Sequence, residues 1–190
     1  MYRQLCCVAG IYYERKKIGK IKIVVKNGNW VAEKADVLFV PECQSKPSFL
    51  YATAVEQAGM RHGVLEFAEL AKENDFPYGY VLLTPPESNG VRLAHAILVG
   101  GVRFSKLSMI SKAVKAALIS SYDHGLKTIV IPEMEAIDFA PLSRRDVMQA
   151  VLYAVALFAD QYPEADGEVR FVVPEGKDIH VAEAILDKEE

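Results

Sequence analysis

The chain has 190 residues, a length at which one domain buries about 70% of the surface of its extended chain. Apolar residues make up 51% and charged residues 25%, which argues against disorder, a collagen-like repeat and a disulfide scaffold. The net charge of −3 argues against a nucleic-acid partner. We therefore expect one domain over residues 1–190, and the sequence leaves open whether it forms a homo-oligomer.

The cysteines and the N-terminus bear on the compartment. Cys6, Cys7 and Cys43 give an odd count without a C-x-x-C or zinc-like spacing, as expected of reduced thiols in a reducing compartment. The N-terminus has no basic segment followed by a long apolar run, so no signal peptide is predicted. No apolar stretch is long enough to span a bilayer. We expect a cytoplasmic protein with no membrane partner.

The first forty residues predict an N-terminal β extension and a central strand. Residues 2–13 are apolar and β-prone, residues 14–17 (Glu-Arg-Lys-Lys) predict a hairpin turn, and residues 18–25 alternate apolar and basic side chains. The extension is assigned to residues 1–20. Residues 36–40 (Asp-Val-Leu-Phe-Val) form a continuous apolar run before a proline, which predicts a buried strand.

The rest of the chain alternates helical and strand patterns. Helices are predicted over residues 47–58, 64–71, 107–124, from 143 onwards and over 178–186, and strands over residues 79–83, 91–99, 128–131 and 169–173. Ser143 opens the long helix, and Asp146 three residues later completes a variant of the capping box. Such alternation predicts a layered α/β domain with a largely parallel sheet, which the N-terminal hairpin makes mixed.

Fold geometry points to the strand ends as the place for a ligand. In open α/β sheets, ligands bind outside the carboxyl ends of the strands. Three predicted ends are followed by loops that contain proline, at residues 40–44, 132–141 and 174–177.

The order of several short patterns over residues 21–186 resembles that of a macro domain. The patterns are Gly28-Asn29-Trp30 before the strand at 36–40, Ala58-Gly59 after a helix, the G-x-x-x-x-T strand at 79–84, and the strands at 126–132 and 169–175. The resemblance implies a three-layer α/β/α sandwich with a mixed central sheet. It also implies binding of ADP-ribose, or its removal from proteins as in some members.

The resemblance also implies which positions would contact a ligand. The adenine-contacting Asp of the family falls on Asn29, and its two Asn residues fall on Val40 and Cys43. The family's Gly-rich loop corresponds to residues 44–50, and its phosphate loop to residues 133–140, neither of which contains glycine. The ligand-binding candidates are Asn29, Val40, Cys43, Glu135, Asp138 and Phe139.

Three carboxylates, Glu133, Glu135 and Asp138, occupy the segment that corresponds to the phosphate loop. A like-charge contact at about 4 Å opposes a phosphate by about 1–4 kcal/mol, so we do not expect a pyrophosphate bound in the family's usual way. A divalent cation that bridges the carboxylates would reverse that effect. The alternative is a solvated loop, and no resident metal or cofactor is predicted.

Other chemical groups have simpler explanations. Cys43 is more readily a packed small side chain than a nucleophile, because no His is placed to activate it. Arg144 and Arg145 could hold a phosphate at a helix N-terminus, but we favour neutralisation of the neighbouring carboxylates. His95 is expected to be a packed or edge residue of a strand. No motif places an acid, a base or a nucleophile, so the sequence leaves catalysis open.

Two functions fit these observations. In the first, a crevice at the carboxyl ends of the strands binds a nucleotide or an ADP-ribose derivative. In the second, the chain retains the macro fold without a ligand and serves as a protein-interaction or scaffold domain, because a fold does not dictate a function.

Overall fold

The computed structural model describes residues 13–43, 49–74, 76–99, 106–134, 136–137, 140–141 and 143–175, together with residues 180 and 184. The strands are β1 (Tyr13–Ile18), β2 (Ile21–Asn27), β3 (Val37–Cys43), β4 (Val81–Leu83), β5 (Arg92–Val99), β6 (Thr128–Pro132), β7 (Ala136–Ile137), β8 (Ala140–Pro141) and β9 (Gly167–Val173). The helices are α1 (Phe49–Gln57), α2 (Arg61–Glu73), α3 (Lys106–Asp123) and α4 (Arg144–Gln161), with a 3-10 turn at Trp30–Ala32.

Seven strands form a mixed sheet in the order β1-β2-β9-β6-β3-β5-β4. The five inner strands run parallel, and β1 and β4 pair antiparallel at the two edges. The strands β7 and β8 form a separate antiparallel pair. The prediction of a mixed sheet is confirmed. In addition to the antiparallel edge expected from the N-terminal hairpin, β4 forms a second antiparallel edge.

Helices cover both faces of this sheet. On one face, α2 packs against β5, because the ring of Phe67 stacks on the imidazole of His95 with centroids 4.6 Å apart. Alternate residues of β5, Ala94 and Ala96, face the other way, and α3 lies against this strand beside α4. Because β5 is buried on both faces, it carries an almost uninterrupted apolar run. The three-layer α/β/α architecture is thereby confirmed.

The predicted hairpin turn at residues 14–17 is wrong. These residues lie within β1, and the turn falls at Gly19 and Lys20. Gly19 has a φ of 60°, which glycine adopts without steric cost. A charged sequence is compatible with β1 because this strand lies at the edge of the sheet, where charges discourage pairing with other chains.

The central strand is longer than predicted. It continues through Pro41 to Cys43, so Glu42 lies inside β3 rather than beyond it. The pairing of β3 with β6 stops at Leu38, whereas its pairing with β5 continues. Pro41 has no backbone N–H to donate. Because it lies beyond Leu38, where β3 no longer pairs with β6, no hydrogen bond between these two strands is lost.

The remaining elements follow the sequence pattern closely. The Asp146 N–H donates to the Ser143 Oγ over 3.1 Å, which confirms the cap of α4. The predicted N-terminal strand lies outside the described residues except for Tyr13, which begins β1. The predicted helix over 178–186 is described only at residues 180 and 184, which are helical.

Candidate functional site

The candidate site lies where β3 and β6 part at their carboxyl ends. The two strands pair only through Val37–Ile129 and Leu38–Val130. Later in the chain, the short strand β7 lies against β3. The described residues around Glu133 at these carboxyl ends belong to α1 and to the start of α4.

A buried ion pair stands at this place. Arg144, the first residue of α4, donates from Nε to Oε1 of Glu133, which directly follows β6. The side chain of Glu133 is 1% exposed and that of Arg144 is 15% exposed. In such surroundings the attraction is stronger than in water, and each charge depends on the other to offset its desolvation.

The backbone of Glu133 is held from both sides. Its N–H donates to the carbonyl of Val172 over 2.9 Å, which extends the β6–β9 ladder by one residue. Its carbonyl accepts from the hydroxyl of Tyr51 on α1 over 3.3 Å. The backbone of Glu133 is thus hydrogen-bonded to β9 and to α1, although this residue lies just after β6.

Apolar and aromatic side chains accompany the pair. Tyr51 is buried and meets the half-buried Trp30 edge-on, with ring centroids 6.1 Å apart. Met134 is fully buried in the same hydrophobic core. We call Trp30, Tyr51, Glu133, Met134 and Arg144 the carboxyl-end cluster.

A second buried polar pair joins β3 to β5. His95 Nδ1 and Glu42 Oε1 are 2.7 Å apart, and both side chains are 0% exposed. Within the described part of the chain, His95 Nε2 has no hydrogen-bond partner. A buried imidazole nitrogen without a hydrogen-bond partner lowers the folding stability by about 1–3 kcal/mol, so His95 Nε2 destabilises the sheet at this point.

The structure describes three of the six sequence-predicted ligand residues. Asn29 is exposed, and its Oδ1 accepts from the Val31 N–H over 3.3 Å at the start of the 3-10 turn. The side chain of Val40 is fully buried in the core. Cys43 ends β3. The other three candidates, Glu135, Asp138 and Phe139, lie outside the described residues.

Two interpretations of charged residues are confirmed. Arg144 neutralises a neighbouring carboxylate, Glu133, while Arg145 is exposed. His95 is packed rather than at an edge. Across the residues that the structure describes, no three His, Cys, Asp or Glu side chains are grouped as a metal ion would require.

Sequence reasoning missed the roles of Tyr51 and of the pair Glu42–His95. One signal was available for Glu42. In a strand, Glu42 shares a face with Leu38 and Val40, so continuing the buried strand past Pro41 would have placed a carboxylate on a core face. Nothing local marked Tyr51, whose partner is 82 residues away.

Solved structures similar to this chain include macrodomains. A mutant of the Oceanobacillus iheyensis macrodomain is similar with a TM-score of 0.72 and 14% identity, over 92% of this chain and 96% of that one. The same macrodomain with ADP gives 0.68 and 13%, over 94% and 97%. The Trypanosoma brucei macrodomain in complex with ADP-ribose gives 0.64 and 15%, over 87% and 68%. The chain has the macrodomain fold.

Sequence comparison adds nothing to this likeness. No protein-family model and no curated protein matches the chain. At 13–15% identity the structural neighbours establish the macrodomain fold alone. Among the helices that the structure describes, none is both long and apolar enough to cross a membrane.

Proposed function

We propose that the chain binds a nucleotide or an ADP-ribose derivative at the carboxyl ends of β3 and β6. The observation that carries this proposal is the macrodomain fold itself, which is similar to structures described with ADP and with ADP-ribose. The place agrees with the general rule for open α/β sheets. The proposed contacts are Asn29, Val40, Cys43, Glu135, Asp138 and Phe139.

Asn29 is the proposed contact best suited to a test, because it is exposed. Its Oδ1 accepts from Val31, so its Nδ2 can donate to a heterocycle at the same time. Val40 has a fully buried side chain and would contribute its backbone only. Glu135 and Asp138 would act through a bridging divalent cation, because carboxylates repel phosphate directly.

The test is a titration of ADP-ribose, ADP and NAD, each with and without Mg²⁺, followed by thermal shift and calorimetry. A ligand at 100 times its Kd stabilises the fold by about 2.7 kcal/mol. We expect at least one nucleotide to raise the melting temperature. Dependence on Mg²⁺ that disappears in Glu135→Ala would support the bridging cation.

A matched pair of variants locates the binding. Asn29→Ala and Asn89→Ala each remove a side-chain oxygen that accepts from the N–H two residues later, Val31 and Val91 respectively. Asn89 precedes β5 and lies at the opposite end of the sheet. We expect Asn29→Ala to weaken binding and Asn89→Ala to leave it unchanged. Equal affinities in the two variants would show that the ligand does not bind at the carboxyl ends of the strands.

The alternative function is a ligand-free protein-interaction or scaffold domain. It is favoured by the carboxyl-end cluster, in which Met134 is fully buried and Arg144 is already engaged by Glu133. If saturating concentrations of every nucleotide leave the melting temperature unchanged, this alternative replaces the first proposal.

A further inference from the structure

One side of α4 faces solvent and carries exposed apolar side chains. Tyr153 is 60% exposed, more than any other large apolar side chain in the described part of the chain, and Leu157 one turn later is 37% exposed. An α-helix has 3.6 residues per turn, so residues three or four positions apart share a side. The exposed residues that follow this spacing are Arg145, Gln149, Tyr153, Ala156, Leu157 and Asp160, which we call the α4 face.

The other sides of α4 are packed within the protein. Val151 and Val155 are fully buried in the core. The Ser111 hydroxyl of α3 donates to the Ala150 carbonyl over 3.1 Å, which joins the two helices side by side. These contacts hold α4 in place without the α4 face, so substitutions on that face are expected to leave the fold intact.

The charges of the α4 face lie at its two ends. Arg145 is the second residue of α4, and Asp160 is the second from its end. Both side chains are exposed, and neither has an ion-pair or hydrogen-bond partner among the residues that the structure describes. When two copies of α4 pair in antiparallel orientation, Arg145 of each copy lies beside Asp160 of the other. Opposite charges then meet at both ends of the contact.

The middle of the α4 face has the same symmetry. Tyr153 is next to the midpoint of α4, so the tyrosines of two antiparallel copies meet near the two-fold axis. Gln149, sixth from the start, lies beside Ala156, sixth from the end, which places a long side chain against a short one. A two-fold interface requires such self-complementarity, in which each residue contacts the same partner position in both directions. Aromatic side chains are also enriched in interfaces between proteins.

We propose that the α4 face binds the α4 face of a second copy of this chain, in antiparallel orientation, and forms a two-fold symmetric dimer. The inference does not depend on the proposed function, because none of its six residues belongs to the carboxyl-end cluster or to the proposed ligand contacts.

The dimer is expected to be weak and to depend on concentration, because one helix from each copy buries less surface than a standard interface. Asp146 is half-buried beside Arg145 and opposes part of the attraction to Asp160 of the second copy. The ion pairs therefore set the orientation of the two helices more than they set the affinity, and the apolar residues between them supply most of the binding free energy.

The first test measures self-association of the full-length protein by sedimentation equilibrium at increasing concentrations. We expect the wild type to show a monomer–dimer equilibrium and Leu157→Glu to weaken it about tenfold or more, because the substitution brings charge into the apolar middle of the contact. Leu65→Glu is the matched control, because Leu65 is 47% exposed on α2, on the opposite face of the sheet. This variant should associate as the wild type does.

Three results of this measurement would overturn the inference: a wild type that stays monomeric at every concentration, a dimer that Leu157→Glu leaves unchanged, or a dimer that Leu65→Glu disrupts equally. Circular dichroism melting of each variant establishes that it is folded. Tyr153→Glu, at the more exposed position, replaces Leu157→Glu if the latter does not fold, and it should weaken the dimer in the same way.

The second test is a charge reversal, which examines the antiparallel orientation. Arg145→Asp and Asp160→Arg each place like charges opposite one another in the dimer and should weaken it several-fold. Both substitutions agree with the helix dipole, so they are not expected to destabilise α4. The double variant restores opposite charges at both ends and should associate as the wild type does. A double variant that associates no better than either single variant overturns the antiparallel dimer.

Discussion

The two ends of the sheet differ in how far their polar side-chain pairs are exposed to solvent. At the amino ends the ion pairs are more exposed: the side chains of Lys20–Glu164 are 54% and 82% exposed, those of Lys127–Asp166 are 62% and 60%, and those of Lys22–Glu168 are 31% and 20%. At the carboxyl end, Glu133 is buried against Arg144. Glu42, one residue before the end of β3, is buried against His95.

This difference in exposure bears on how much each pair contributes to stability. Exposed pairs add little to the folding free energy, because water and salt screen them. Buried pairs are costly to form, and apolar residues of similar volume often replace both partners without loss. The two buried pairs of this chain lie near the end of the sheet at which we propose that the ligand binds.

The largest effect is expected from His95→Leu. The substitution takes the imidazole away from the fully buried carboxyl of Glu42 and should lower the free energy of unfolding by about 3–5 kcal/mol. Urea denaturation of the variant and the wild type measures this loss of stability, provided that the two proteins have the same m-value. His124→Leu is the control, because His124 is exposed and its Nδ1 meets only the carbonyl of Ser120.

A double variant tests whether the buried pair itself causes this loss. Glu42→Met combined with His95→Leu replaces both polar partners by apolar side chains, and we expect it to recover most of the lost stability. A double variant as unstable as His95→Leu would show that packing around the imidazole, against Phe67, is the cause.

The next largest effect is expected at the amino ends of the sheet, where two backbone segments pack closely at Gly167. A Cβ at Gly167 would lie 2.5 Å from the backbone oxygen of Lys127, so Gly167→Ala should cost about 1–3 kcal/mol through strain. Gly28→Ala, at the other end of the sheet, is the matched control, because its nearest contact would be 3.5 Å. Equal melting temperatures of the two variants would contradict this account.

Ser143→Ala should have a smaller effect, about 1 kcal/mol, because it removes the cap of α4. Ser143→Asp keeps an acceptor for the Asp146 N–H and should restore the stability. Chemical denaturation of the three proteins measures the difference. If the aspartate variant is no more stable than the alanine variant, the cap does not stabilise the start of α4.

The sequence predicts the fold better than the site for a physical reason. The apolar runs that became β6 and β9 are buried on both faces, so their composition alone marks them as inner strands. The contact of Arg144 with Glu133 was foreseeable because opposite charges lie 11 residues apart. His95 and Glu42 are 53 residues apart and meet only through the register of β3 and β5, which no spacing in the sequence specifies.

The smallest effect is expected from the exposed pairs, and it should depend on pH. The hydrogen bond from Lys20 and its positive charge hold the pKa of Glu164 below its ordinary value of 4.5, and Lys127 lowers the pKa of Asp166 in the same way. A lowered pKa in the folded state means that the stabilisation is present above pH 4.5 and disappears as the pH falls through the lowered value.

Glu164→Gln should therefore lower the melting temperature only slightly at neutral pH, and not at all under strongly acidic conditions. In about 1 M salt, where the Debye length is about 3 Å, the small difference should also vanish. Differential scanning calorimetry of Glu164→Gln and the wild type over this pH range measures it. A loss at neutral pH as large as that of His95→Leu would mean that the amino ends also depend on their charges, and the contrast between the two ends would fail.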